Sequence, residues 1–197
     1  GTIWPIENIV ALKNLAKKYN LFYHLDGARI WNASMATGIS VKEYASHFNS
    51  ISCCLSKGLG APVGSIIAGT KDFIKEAFRV RKAWGGGMRQ VGILAAAGFY
   101  ALQNNIERLK EDHDKAKYLA ERINANPNLG IDMNAVQTNI LLFHPKNISV
   151  EEGLKLCKEK GLLVSVGKID LIRAITHLDV SLNKKKKAAD IIDEVFA

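Results

Sequence analysis

Apolar side chains recur along the chain at two spacings, one typical of helices and one typical of strands. In the first part of the chain, segments with helical spacing separate short apolar runs that glycine, proline or asparagine bounds. The predicted elements are a helix from Ile6 to Tyr19, a strand Leu21–Leu25, a helix Val41–His47, a strand Ile51–Leu55, a strand Ser65–Ala68, a helix Lys71–Lys82, a helix that begins near Met88, and a helix Ile106–Ile123. Helices that alternate with strands predict an α/β fold, and the closeness of Ser65–Ala68 to Ile51–Leu55 predicts that these two strands pair antiparallel.

The run from Asn124 to Asn128 is the strongest boundary signal, because it combines three asparagines with a proline. After it, the pattern predicts a strand Asn139–Phe143, a helix Val150–Lys160, a strand Leu162–Val166, a strand Leu171–His177 and a helix Lys184–Phe196. This order is typical of a small α+β unit. We therefore predict two domains, with residues 1–124 forming the later portion of a large sheet domain and residues 125–197 a smaller C-terminal domain.

The composition is that of a globular protein with a substantial core, since 48% of residues are hydrophobic and 23% are charged. The net charge is +8, but the basic residues are dispersed apart from Lys184–Lys187 and form no nucleic-acid-binding signature, so an anionic cofactor or substrate is the plainer explanation. Three cysteines without disulfide or metal spacing predict buried thiols in a reducing, cytoplasmic compartment and no metal site. No apolar run reaches membrane-spanning length.

Two strand ends carry the candidate chemistry. Lys57 follows the strand Ile51–Leu55, and the glycines after it predict a tight loop at the edge where open α/β sheets bind ligands. A neutral lysine there can form a Schiff base with a carbonyl cofactor, although Ser-Lys-Gly alone is more often an ordinary loop. Asp26 ends the preceding strand, and adjacent strand ends can set a lysine and a carboxylate around one pyridine ring.

Two neighbours of Asp26 have open roles. Arg29 either pairs with a surface carboxylate or grips a substrate carboxylate with its guanidinium fork. His24 precedes Asp26 by two residues in a strand, so both side chains are expected on the same face. His24 then either abuts a cofactor or supports Asp26.

Four motifs occur in a fixed order: His24-Leu25-Asp26-Gly27-Ala28-Arg29, Ser56-Lys57-Gly58-Leu59-Gly60-Ala61-Pro62-Val63-Gly64, Gly85-Gly86-Gly87-Met88-Arg89-Gln90, and Arg173-Ala174-Ile175-Thr176-His177-Leu178-Asp179. With them, the chain resembles the low-specificity threonine aldolases from its first residue to about Ser181. The resemblance implies the fold type I architecture of aspartate aminotransferase, with part of its large sheet domain followed by a smaller α+β domain. It also implies pyridoxal phosphate as the cofactor.

The resemblance implies roles for individual residues. Lys57 is the catalytic residue that forms the Schiff base, and Asp26 is the partner of the ring nitrogen. Arg29, close to the cofactor, and Arg173 hold the substrate carboxylate, so that the substrate lies between the two domains. Lys82 and Arg89 flank the glycines and are implied as basic groups near the cofactor phosphate, contributed within one subunit or from a neighbouring one. Lys82 has the open alternative of a solvated lysine at a helix end.

The reaction implied is retro-aldol cleavage of L-threonine or L-allo-threonine to glycine and acetaldehyde, in a homodimer or homotetramer with shared active sites. The family's N-terminal part is absent from these residues, so we expect residues 1–197 alone to be poorly soluble and inactive. Two alternatives stay open. One is another fold type I enzyme, such as an aminotransferase, a serine hydroxymethyltransferase or a β-eliminating lyase. The other is an inactive chain that keeps only an assembly surface.

Overall fold

The computed structural model describes all residues, 1–197, and they separate into two compact units. The first unit is Trp4–Leu109, and the second is Lys110–Ala197 together with Gly1–Ile3. The helices are α1 (Ile6–Lys18), α2 (Ile30–Thr37), α3 (Val41–Ala45), α4 (Lys71–Ala83), α5 (Gly92–Asn104), α6 (Leu109–Ala125), α7 (Val150–Glu159) and α8 (Leu182–Val195). The strands are β1 (His24–Asp26), β2 (Ser50–Cys54), β3 (Ser65–Gly69), β4 (Leu129–Ile131), β5 (Ile140–Pro145), β6 (Ser165–Lys168) and β7 (Leu171–Ile175), and a short 3₁₀ helix spans Met133–Ala135.

The sheet of the first unit has the order β1-β2-β3. Strands β1 and β2 are parallel, with Asp26 opposite Ser52, whereas β2 and β3 are antiparallel, as predicted. One face of β2 is apolar, since Ile51 and Cys53 are buried in a cluster with Ile9, Ile30 and Tyr44. The opposite face carries His24 and Asp26, which therefore share a face, as the alternation of strand side chains predicted.

Helix α2 was not predicted from the sequence. It begins directly after Arg29 and ends at Thr37, because the following Gly38 has a left-handed φ of 75° that stops the helix. Its Ile30 is buried against Ile51 of β2, so α2 is held mainly by tertiary packing. A second difference is α5, which begins at Gly92 and not near Met88, because Gln90 has a left-handed φ of 50° that no helix can accommodate.

The sheet of the second unit has the order β4-β5-β7-β6, and its pairs are all antiparallel. Its core joins both central strands to α8, with Phe143, Ile172 and Phe196 fully buried. Phe143 and Phe196 meet edge to face, with ring centroids 6.3 Å apart. This confirms the expected α+β pattern of helices and antiparallel strands.

The division between the two compact units falls after Leu109, earlier in the chain than the predicted domain boundary between residues 124 and 125. The reason is α6, whose buried residues Ala116, Leu119 and Ile123 belong to the core of the second unit. From Lys110 onward the helix thus belongs to the second unit, whereas its first residue, Leu109, belongs to the first. The domain boundary of the intact protein stays a prediction.

Strand β6 begins at Ser165, later than predicted. The chain first closes α7, where Gly161 has a φ of 84° and Leu162 N donates to Cys157 O at 2.8 Å. This is the helix-ending arrangement that a left-handed glycine permits, and it occupies the residues that the apolar pattern assigned to a strand. No helix of the chain combines the length and apolarity needed to cross a membrane.

Candidate active site

Strands β1 and β2 are parallel, so their carboxyl ends lie at one edge of the sheet. Asp26 is the last residue of β1, and its exposed side chain accepts a hydrogen bond from Ala28 N through Oδ1 at 3.1 Å. Gly27 N donates to Ser52 O at 2.8 Å, and a Cβ on Gly27 would lie only 2.8 Å from that same oxygen. Only glycine therefore allows the turn after Asp26 to approach β2 so closely.

Lys57 lies three residues beyond the end of β2, on a closed loop at the same edge. The loop begins and ends with backbone hydrogen bonds, from Leu55 N to Gly64 O at 3.0 Å and from Ala61 N to Leu55 O at 3.1 Å. Within it, Gly60 N donates to Lys57 O at 2.9 Å, and Gly60 has a left-handed φ of 71°. The lysine is half-buried, so the loop fixes its backbone while leaving part of the side chain accessible.

Arg29 follows Asp26 by three residues and caps the start of α2. Its carbonyl accepts hydrogen bonds from Asn32 N at 3.0 Å and Ala33 N at 3.2 Å, and the residue is half-buried. The topology therefore brings Asp26, Arg29 and Lys57 to one edge of the first unit's sheet. A carboxylate, a guanidinium and an amine at one edge can hold an anionic ligand that contains a basic ring nitrogen.

His24 shares a face with Asp26 but has its own partner. Its Nδ1 is 2.7 Å from Ser50 Oγ, on the residue directly opposite in β2. Ser50 is buried. The contact ties β1 to β2 two residues before Asp26.

Lys82 and Arg89 lie on either side of the three glycines. Gly86 N donates to Arg81 O at 2.8 Å, so the glycine segment folds back over the end of α4. A Cβ on Gly87 would lie 2.7 Å from Lys82 Cδ, which shows that the Lys82 side chain packs on this segment. Both basic residues are exposed, and their contact with a cofactor phosphate stays a prediction.

Arg173 lies in the second unit, in the middle of β7. It is opposite Leu142 of β5 and Ser165 of β6, and it is half-buried. A bulge in β6 brings Gly167 against it, where a Cβ would be 3.1 Å from Arg173 Cβ and 2.5 Å from Leu142 Cδ2. The arginine is therefore fixed on the sheet face opposite to buried Ile172 and Ala174.

The cysteines are free thiols in the reduced form. Cys53 and Cys157 are buried, as predicted, and burial raises the pKa of both. Cys54 is only half-buried, because it lies on the face of β2 opposite to the apolar cluster. None of the three is placed in the candidate chemistry.

Residues 1–146 match the beta-eliminating lyase family. The chain belongs to this family. The match includes the motifs around Asp26, Lys57 and the three glycines, and so it covers the whole edge of the first sheet. It ends before Arg173, whose role depends on the resemblance alone.

The curated relatives of the chain include threonine aldolases. The low-specificity L-threonine aldolase of Escherichia coli K12 is 42% identical over 189 residues, which are 96% of this chain and 55% of that protein. Low-specificity L-threonine aldolase 1 of Arabidopsis thaliana is 40% identical over 184 residues, 92% of this chain and 51% of that protein. The chain thus spans about half the length of the curated relatives it matches.

The solved structure of a threonine aldolase from Leishmania major superposes with a TM-score of 0.81 at 16% identity, covering 100% of this chain and 58% of that one. At this identity the likeness shows the fold. It confirms the α/β class that the alternation of elements and the resemblance both implied.

Two asparagines of this family member were not identified from the sequence. Asn105, directly after α5, donates from Nδ2 to Leu59 O at 2.8 Å. Asn32 of α2 is only 2% exposed, and its Oδ1 would be 2.9 Å from a Cβ on Gly58. Both amides therefore contact the loop that carries Lys57. Nothing in the local pattern marks Asn105, since the contact spans 46 residues of chain.

Proposed function

We propose that the intact protein is a pyridoxal phosphate-dependent threonine aldolase, which cleaves L-threonine or L-allo-threonine to glycine and acetaldehyde. The observation that carries the proposal is the placement of Asp26 and Lys57 at the ends of adjacent parallel strands. Membership of the beta-eliminating lyase family and 40–42% identity to threonine aldolases support it.

The residues at the sheet edge fit pyridoxal phosphate. Asp26 presents an exposed carboxylate, Lys57 presents an amine on a braced loop, and the lack of a Cβ at Gly27 keeps the turn after Asp26 tight against β2. When bound, the cofactor supplies an electron sink for the charge that develops at the substrate α-carbon. Lys57 would hold the cofactor through its side-chain amine, and the Asp26 carboxylate would keep a proton on the cofactor's ring nitrogen.

The arginines supply recognition of the substrate carboxylate. A guanidinium grips a carboxylate through two parallel hydrogen bonds, which orients the substrate as well as binding it. Arg29, at the edge beside Asp26, is the first candidate for this role, and Arg173 is the second. Lys82 and Arg89 are proposed to neutralise the cofactor phosphate. We also propose a cytoplasmic homodimer or homotetramer with shared active sites.

A β-eliminating activity is the second candidate, because the family match carries that description. The two reactions begin from the same contacts of Lys57, Asp26 and an arginine, and they differ in the bond that breaks. Incubation of the intact protein with L-threonine and L-allo-threonine separates them. Glycine with acetaldehyde supports the aldolase, whereas 2-oxobutanoate with ammonia supports elimination.

The decisive test is chemical labelling of the intact protein loaded with pyridoxal phosphate. Borohydride reduction followed by peptide mapping is expected to place the cofactor on Lys57, and Lys57→Ala is expected to abolish both the label and threonine cleavage. Lys75→Ala, which removes an exposed lysine of α4, is the matched control and should behave as wild type. Label on another lysine, or none at all, would refute the proposal.

A further inference from the structure

The side-chain amides of Asn105 and Asn32 contact the turn that carries Lys57 from two sides. It lies between Leu55 and Ala61, which are joined by a backbone hydrogen bond of 3.1 Å, and Leu59 within it is fully buried. Leu59 belongs to a cluster with Ala61, Ala101 and Leu109. The turn therefore packs on α5 and on the first residue of α6.

Asn105 makes the direct contact on one side. Its backbone N–H donates to Ala101 O at 2.9 Å and so closes α5, while its Nδ2 donates to Leu59 O at 2.8 Å. The same residue thus ends the helix and holds the carbonyl two residues after Lys57. Since a partly buried carbonyl that loses its donor costs stability, this bond favours one conformation of the turn.

Asn32 lies against the other side. Its side chain is buried, and the Gly58 Cα approaches it so closely that a Cβ would be 2.9 Å from Asn32 Oδ1 and 2.9 Å from Leu109 Cδ2. The residue next to Lys57 is therefore confined between α2 and the start of α6. Arg29 begins the same helix, so α2 links two of the proposed site residues.

We propose that Asn105, supported by Asn32, is a positioning residue that holds the Lys57 turn in the conformation competent to capture pyridoxal phosphate. The inference rests on the proposed function of Lys57. If the turn adopts the competent conformation only part of the time, the apparent dissociation constant of the cofactor equals the intrinsic constant divided by the competent fraction. Loss of one such hydrogen bond is expected to raise the dissociation constant of pyridoxal phosphate about tenfold.

The test compares variants of the intact protein. Asn105→Ala removes the donor, and Asn105→Asp keeps the shape but places an acceptor opposite Leu59 O. Asn104→Ala is the matched control, because Asn104 is the neighbouring asparagine and donates to Tyr100 O at 2.8 Å on the exposed side of α5. Ser40→Ala, which removes the cap of α3, controls for a general loss of stability.

Three quantities are measured: pyridoxal phosphate affinity of the folded apoprotein, kcat and KM for threonine, and the thermal midpoint. Both Asn105 variants should bind cofactor about tenfold more weakly and lose kcat by a similar factor, with KM within about twofold of wild type. The controls should keep wild-type cofactor affinity, and Ser40→Ala should do so despite a lower midpoint.

The outcomes distinguish the two proposals. If wild type carries cofactor on Lys57 but the Asn105 variants match Asn104→Ala in affinity and kcat, the positioning role is wrong. If the Asn105 variants lower only the thermal midpoint, the role is structural and the inference is again overturned. If wild type captures no cofactor on Lys57, it is the proposed function that fails.

Discussion

Replacing Asp112 with alanine is expected to destabilise the second unit by about 3–5 kcal/mol, because it strands a buried ammonium. Lys115 Nζ lies 3.1 Å from Asp112 Oδ1, and the two side chains are only 5% and 0% exposed. The Lys115 ammonium also lies 3.4 Å from His177 O, a distance too long for this carbonyl to replace the lost carboxylate. A loss of this size is a large part of the stability of an ordinary domain, about 5–15 kcal/mol.

The pair also matters for where Arg173 sits. Thr176 Oγ1 donates to Asp112 O at 2.6 Å, and Asn139 Nδ2 donates to Thr176 O at 2.8 Å. These bonds join α6 and the residue before β5 to Thr176, the residue that follows β7. Disruption of the pair is therefore expected to loosen the end of the strand that carries Arg173.

The assay is urea titration of the intact protein with hydrogen exchange read at the amides of β7 and α6. Amide-resolved exchange is needed because a protein with more than one unit does not unfold in a single two-state step. Glu159→Ala is the control: it breaks the exposed pair of Lys155 and Glu159, 76% and 58% exposed at 4.0 Å. Such a pair is worth about 0.5 kcal/mol or less. If Asp112→Ala cost no more than Glu159→Ala, the argument from burial would be refuted.

Two further predictions follow from the second unit. Burial lowers the pKa of His113, against smaller raising effects of Asp112 and Asp114, so the unfolded chain binds the proton more tightly than the folded one. The stability of the fold should therefore be intact above about pH 6.5 and fall below it. His113→Gln should remove that fall in thermal midpoints measured from about pH 7.5 to 5. Gly167→Ala should cost about 1–3 kcal/mol by crowding Leu142 and Arg173. It should also raise KM for threonine more than Gly92→Ala does, since Gly92 has no neighbour within 4 Å of its missing Cβ and no left-handed φ.

The parts of the fold that the sequence predicts well are those with strong internal periodicity. Helices α1, α4, α7 and α8 have an apolar stripe that only one face can bury, and the pairing of β2 with β3 follows from their short connection. Helix α2 lacks such a stripe, because Asn32 and Ser34 interrupt it. Its buried residues, Ile30 and Asn32, are covered by tertiary packing that the local pattern does not contain.

The candidate site also has one part that the sequence predicts and another part that it does not. The placement of Asp26 and Lys57 at one edge of the sheet is predictable because parallel strand ends meet there, and the register of β1 on β2 agrees with that argument. Their chemical roles stay a prediction. The contacts that support these two residues are not predictable from the sequence, since Asn105 and Leu59 are 46 residues apart and meet only after α5 has packed. Where α5 begins is in turn set by the left-handed backbone at Gln90 rather than by the composition of the helix.

These contacts explain how the side chain proposed to hold the cofactor can be placed accurately on a loop. A residue within a strand has its direction fixed by the ladder, but it also points to one face and is shielded by its neighbours. Lys57 lies beyond the ladder, so its backbone needs other restraints, and binding sites lose function when such support is loose by about 1 Å. The end of α5 supplies one restraint through Asn105, and the start of α2 supplies another through Asn32. The site is therefore organised by helix ends around a sheet edge, and substitutions at those ends should affect cofactor capture without altering any group that touches the substrate.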